Sequence, residues 1–195
     1  PSRIAIWGSS FSGGIALIAG ALDPRIKVVV SQVPFVSGKL TRQRLPETVI
    51  SKLYADRGQT SSSNPTYIPI YPESLEAAQN PANGVMMGSE ECFRHYARSL
   101  GLEPSRENKI TLQSMFHTLR AEPQMYISQI SPKPLFMVVG LQDSLIDSQQ
   151  QVAFFKQAGE PKQLLELDCG HFDVYHGENF EKNVFTQVAF LDKFL

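Results

Sequence analysis

Arg3-Ile4-Ala5-Ile6-Trp7-Gly8-Ser9-Ser10-Phe11-Ser12-Gly13-Gly14, near the start of a 195-residue chain, is written as a strand, a tight turn and the first turn of a helix. An apolar run breaks at Gly8, a serine stands two places on, and small residues surround it. That is the pattern of a nucleophile elbow, with Ser10 at the tip. Such a tip needs a strained backbone, tolerated when Gly8, Ser12 and Gly13 keep bulky side chains away. The usual form is G-x-S-x-G. Here Ser12 stands in the last position, and serine is small enough to fit. By itself the pattern is also that of an ordinary Gly/Ser turn or a phosphate cradle, so the rest of the chain has to decide.

Composition narrows the function classes. With 42% hydrophobic residues, the chain suits one globular domain, or one domain carrying an insertion. A net charge of −1 gives no broad field for nucleic acid or an anionic membrane, so neither is expected as a partner. No apolar run approaches the roughly 18 residues of a spanning helix. Two cysteines, Cys92 and Cys169, allow at most one disulfide and suggest no metal framework.

The strand Ile4 to Trp7 is apolar on both faces, as expected of an interior parallel strand. At a sheet edge it would be an aggregation hazard. The expectation is that these residues are the C-terminal part of a longer protein whose earlier strands lie beside this one. Gly13 to Leu22 follows, its small residues suited to a helix lying close on a sheet, and Asp23-Pro24 ends it. Ile26 to Val33 is a β-branched run, read as the next parallel strand, which completes a βαβ unit.

From Phe35 to about Ile130 the character changes. Prolines recur at 46, 65, 69, 72, 81, 104 and 123, and no strand of the parallel sheet is convincing. Helices are expected over Pro46 to Ala55, Ser89 to Leu100 and Lys109 to Ala121. Phe93, Tyr96, Ala97 and Leu100 would line one face of the second, and Leu112, Met115, Phe116 and Leu119 one face of the third. A Ser/Pro/Tyr-rich loop runs from Gln59 to Pro81, a length usually associated with mobility or function. Residues 36–130 therefore read as an inserted, mainly helical cap, with the core in 1–35 and 131–195.

At Pro134 the sheet pattern returns. Leu135 to Val139 is a buried strand ending at Gly140, and a helix is expected from Asp147 to Ala158. A further strand, Gln163 to Leu167, leads into Asp168-Cys169-Gly170-His171-Phe172. The last helix carries Phe180, Val184, Val188, Leu191 and Leu195 on one face, spaced to pack against the sheet.

Ser10, Asp143 and His171 thus stand just beyond the C-terminal ends of three parallel strands, the edge where open α/β sheets bind ligands. The combination has a chemical reason. A serine hydroxyl is a poor nucleophile until an imidazole takes its proton, and the imidazole needs a carboxylate to fix its tautomer. The Phe11 N–H, opening the helix, would be one oxyanion donor; a second donor normally comes from a loop after an earlier strand. Asp147 and His176 are the competing acid and base, but Asp147 is better placed to cap the next helix. His171 follows a glycine at the strand end, which favours it over His176.

The chain resembles the α/β-hydrolase superfamily. The Ser-Asp-His order matches. Gly-Ser-Ser-Phe-Ser-Gly-Gly at 8–14, Asp-Pro-Arg-Ile-Lys at 23–27, Ser-Gln-Val-Pro-Phe at 31–35, Ser-Pro-Lys-Pro-Leu-Phe-Met-Val-Val-Gly at 131–140 and Gly-His-Phe-Asp at 170–173 resemble its dienelactone-hydrolase-like group. That group includes fungal polyketide-transferase and thiohydrolase-type proteins. The resemblance covers both ends of the chain well and the cap loosely. It implies a three-layer α/β fold with a parallel sheet, from the nucleophile strand onward, and an inserted helical cap. It also implies hydrolysis or transfer of an acyl group through an ester of Ser10, without metal or organic cofactor. The expected partner is a small-molecule ester or thioester with a fairly hydrophobic acyl group, and a homodimer is left open.

Simpler readings stand beside these. His95 and His117 read as solvated or core-satisfied histidines, and Cys169 as a small buried hydrophobe. Lys39, Arg42 and Arg44 read as a solvated surface. Phe35, Met86, Met87, Phe93, Met115, Phe116 and Tyr126 could line an acyl pocket or form the cap's own core. Of these only Phe35, directly after a strand end, has a positional argument for the site. Two alternative functions remain. One is a prolyl-oligopeptidase-like peptidase, which needs an acidic pair such as Glu90-Glu91. The other is a non-catalytic binding protein on a hydrolase scaffold, which has no need of all three polar residues.

Overall fold

The structure, a computed structural model, describes residues 3–59, 64–80 and 84–195. The elements run β1 (Ala5–Ser9), α1 (Phe11–Leu22), β2 (Val28–Gln32), α2 (Gly38–Gln43), α3 (Glu47–Gln59), β3 (Tyr67–Ile68), α4 (Leu75–Gln79), α5 (Glu90–Leu102) and β4 (Ile110–Thr111). Then come α6 (Leu112–Thr118), β5 (Leu135–Gly140), α7 (Ser148–Lys156), β6 (Lys162–Leu167) and α8 (Gly177–Phe194). Short 3₁₀ turns occupy Pro123–Met125, Ile127–Gln129 and Asp173–Tyr175. The chain divides into two compact units, Pro1–Ser37 with Glu122–Leu195, and Gly38–Ala121.

The first unit is built on a four-stranded sheet, β1-β2-β5-β6, parallel throughout. Strand alternation sorts its side chains into two cores. Val29, Leu135, Met137 and Val139 meet Leu17 of α1 and Phe154 and Phe155 of α7 on one face. Val28, Val30, Phe136 and Val138 meet Phe190 of α8 on the other. Because both faces are covered, β2 and β5 are buried at every position, which is why β5 and the three valines of β2 read as apolar runs. Each such valine or leucine contributes about 1.5–3 kcal/mol relative to exposure. The result is three layers, helix, sheet and helix, and the strand ends that carry Ser10, Asp143 and His171 come out along one edge.

The second unit holds α2 to α6 and one two-residue antiparallel ladder, β3 with β4. Its core is Ile50 and Leu53 of α3 against Leu112 and Phe116 of α6, with Met115 and Leu119 partly buried beside them. Tyr71 is buried, stacked on Tyr96 with centroids 5.2 Å apart, and its backbone is tied to the Asn108 side chain.

Several expectations need correction. The unit boundary lies at Glu122 rather than near 131, because Ile127 and Ile130 are buried in the core of the first unit. The helix expected over 109–121 is shorter: Ile110 and Thr111 pair with β3, and the Thr111 side chain caps α6 by accepting from Ser114 N–H. On α5 the buried positions are Cys92 and Ser99, not Phe93, Ala97 and Leu100, since Tyr96 turns to stack on Tyr71. Strand β1 is outermost in the described sheet, and its Trp7 is 55% exposed. On α8, Leu191 and Leu195 pack on the sheet-side core as expected, but Phe180, Val184 and Val188 are 39%, 38% and 49% exposed, and the inward line is Asn183, Gln187 and Phe190. Amide hydrogen bonds from Asn183 and Gln187 to Gln32 set that rotation. Of the loop expected over Gln59–Pro81, residues 60–63 and 81 lie outside the described residues.

Candidate active site

Ser10 occupies the turn between β1 and α1 with φ 57° and ψ −126°. Three hydrogen bonds hold it there: Ser10 N–H donates to Gln32 O at 2.9 Å, and its own carbonyl accepts from Phe35 N–H at 2.9 Å and Gly14 N–H at 3.2 Å. A Cβ at Gly8 would lie 2.1 Å from the Ser12 carbonyl oxygen, so only glycine fits where the chain doubles back. Ser12 is exposed, which explains why serine is tolerated in the motif's last position. Beside Ser10, Val33 also has positive φ, 37°, an unusual state for a β-branched residue. The two strained residues border the same site, where such strain is commonly concentrated.

His171 Nε2 is 2.9 Å from Ser10 Oγ, and His171 Nδ1 is 2.7 Å from Asp143 Oδ2. The imidazole is 1% exposed and the carboxylate is buried, so water does not compete for that bond. Asp143 sits in the turn after β5, its Oδ1 accepting from Leu145 N–H at 2.9 Å and Ile146 N–H at 2.8 Å. The turn is laced to the histidine loop by Leu141 N–H to Leu167 O and Gln142 N–H to Cys169 O. Gly140 allows that approach, because a Cβ there would meet Cys169 O at 2.8 Å and Gly170 O at 3.0 Å.

The Phe11 N–H opens α1, where first-turn amides have no partner within the helix. The Phe11 and Phe35 rings meet edge to face, centroids 5.4 Å apart, and Phe35 is buried. Asp147 is the N-cap of α7, accepting from Gln150 N–H at 3.1 Å, and the bond to His171 is made by Asp143. His176 stands 3.9 Å from Asp173, its side chain about a third exposed. His95 rests against the Tyr71 ring, and His117 is exposed.

The remaining candidates fall elsewhere. Cys169 is buried in the α8-side core. Lys39, Arg42 and Arg44 are exposed on the second unit, and Met115 and Phe116 belong to that unit's own core. Glu90 pairs with Arg94 one turn along α5, at 2.5 Å. Among the described residues no cluster of three His, Cys, Asp or Glu could hold a metal ion, and no helix is long and apolar enough to cross a membrane.

The structure adds residues that the sequence did not single out. Gln32 Oε1 accepts from Asn183 and Gln187, and Gln32 Nε2 donates to Ser9 Oγ at 3.0 Å. Ser9 Oγ lies 2.6 Å from the Tyr175 hydroxyl, and Trp7 Nε1 donates to Gln187 at 2.7 Å. Burial pushes the Tyr175 phenol above its ordinary value, outweighing the hydrogen bonds that favour its ionised form. The network ties the strand before Ser10 to the loop after His171. A glutamine inside a buried β-branched strand was the available signal.

The chain's relatives point in one direction. The family model for acetyl xylan esterase (AXE1) matches residues 1–47. The chain is 32% identical to polyketide transferase claH of Penicillium crustosum, over all of this chain and 65% of that protein. It is 29% identical to a thiohydrolase of Eupenicillium brefeldianum, over 97% of this chain and 61% of that protein. It therefore spans just under two thirds of the length of these curated relatives. The crystal structure of the α/β hydrolase GrgF from Penicillium sp. sh18 superposes with a TM-score of 0.76 at 24% identity, covering 99% of this chain and 64% of that one.

Proposed function

We propose, from the premise that this chain has the α/β-hydrolase fold and counts fungal polyketide transferases and thiohydrolases among its relatives, that it cleaves or transfers an acyl group through an ester of Ser10. The observation that carries the proposal is the continuous hydrogen-bonded line from Ser10 Oγ through both ring nitrogens of His171 to Asp143. His171 Nε2 takes the Ser10 proton as Oγ bonds to the carbonyl carbon, and Asp143 holds Nδ1–H and stabilises the imidazolium. The Phe11 N–H donates to the developing oxyanion. As the carbon–oxygen or carbon–sulfur bond breaks, the same proton passes from His171 to the leaving alcohol or thiol. Water or a second nucleophile then releases the acyl group by the reverse path. No metal or organic cofactor enters these steps.

The substrate we propose is an ester or thioester with a fairly hydrophobic acyl group. The relatives named for polyketide transfer and thioester hydrolysis support the acyl class, and the aromatic pair Phe11 and Phe35 beside the nucleophile supports its apolar character. The test is a fluorophosphonate probe on the full-length protein, with the labelled peptide mapped by mass spectrometry. Labelling at Ser10 is expected. Ser10→Ala should fold as the wild type, take no label, and lose at least about a thousandfold in kcat. Turnover surviving in Ser10→Ala refutes the mechanism.

A further inference from the structure

We propose that Gln151 is a positioning residue for the triad carboxylate, acting through Asp143; this rests on the triad reading above. Gln151 lies in the first half of α7, fully buried. Its Nε2 donates to Asp143 Oδ2 at 3.1 Å and to Ile146 O at 2.8 Å, so both amide protons are used. These two acceptors also fix the amide's orientation, since a flip would set Oε1 against a carboxylate and a carbonyl.

The bonds close a ring. Ile146 N–H donates to Asp143 Oδ1, Ile146 O accepts from Gln151, and Gln151 returns to Asp143 Oδ2. A closed ring of hydrogen bonds of this kind restricts rotation of the carboxylate at its centre. Asp143 Oδ2 is the atom that His171 Nδ1 meets at 2.7 Å, and Gln151 is the side-chain donor that shares it. The carboxylate therefore approaches the imidazole from a fixed direction rather than turning with its own side chain.

Packing alone does not account for a glutamine at this position. Gln151 Oε1 is buried with no hydrogen-bond partner among the described residues. Leucine or methionine would fill similar volume without stranding a polar atom, which costs stability. The position keeps its amide in spite of that cost, and the amide's other end is spent on Asp143.

The test is a double-mutant cycle in the full-length protein, read with an activated ester. Gln151→Met is expected to lower kcat at least tenfold with KM within twofold and a melting curve as cooperative as the wild type's. Asp143→Asn lowers kcat further. In that background Gln151→Met should change kcat by less than twofold, because the group it positions has already been lost. Unchanged kcat in Gln151→Met, or the same fold loss in both backgrounds, overturns the proposal, since a purely structural role would act in both alike. Should Gln151→Met fail to melt cooperatively, Gln151→Leu, which also lacks the amide donor and adds no charge beside Asp143, is judged by the same criteria. Failure of the triad reading is separable: it shows as turnover in Ser10→Ala, a measurement that does not involve Gln151, and it removes the basis of this proposal as well.

Discussion

Single residues hold this site at close tolerances, and Gly140 is the clearest case. The acid turn and the histidine loop approach so nearly that any Cβ at position 140 would lie 2.8 Å from the Cys169 carbonyl oxygen. That contact is against backbone, which cannot rotate out of the way as a side chain can. Gly140→Ala must push apart the two loops that carry Asp143 and His171. Misplacement of catalytic groups by about 1 Å can cost on the order of a hundredfold. The expected outcome is a kcat reduced by about ten- to a hundredfold with the fold retained, measured by steady-state kinetics beside circular dichroism.

At the scale of elements, helices α1 and α7 are each closed by a lysine from outside the helix. Lys133 Nζ donates to Gly20 O and Asp23 O, at 2.6 and 2.9 Å. Lys162 Nζ, at the start of β6, donates to Phe155 O, Lys156 O and Ala158 O at the end of α7, at 3.3, 3.1 and 2.6 Å. A cation there satisfies carbonyls that the helix leaves open and complements the helix dipole. Lys162→Met should therefore cost about 1 kcal/mol of stability, seen as a lower urea midpoint with an unchanged slope. Its kcat should not change, because the opposite end of α7 faces Asp143 through Gln151. The altered face of α8 belongs to this scale too. A helical pattern marks Phe180, Val184 and Val188 as one face, but two amides bonded to Gln32 decide which face turns inward.

At the scale of the whole molecule, two compact units share one chain, and each has its own core. The second is the smaller, and its core rests on Ile50, Leu53, Leu112 and Phe116. Leu53 is almost fully buried there, so Leu53→Ala should cost about 2–5 kcal/mol. Calorimetry of the full-length protein should record the loss as a lower or earlier transition. An unshifted melting profile would count against the core assigned to that unit.

The sequence alone determined the βαβ start, the parallel strands, the serine turn and the three polar residues at strand ends. Local rules write these features: glycine where a turn is tight, continuous apolar runs where both strand faces are covered, and polar residues where strands stop. It also placed Asp147 as a helix cap rather than the histidine's partner, because capping is a contact within a few residues. Only the tertiary structure decided that His171 meets Ser10 across 161 positions and Asp143 across 28. Tertiary contacts likewise turned α8 onto its amides and closed the ring of Asp143, Ile146 and Gln151. Nothing in Gln149-Gln150-Gln151 marks the third glutamine. A hydrogen bond between elements depends on where the sheet carries them, and no local pattern records that.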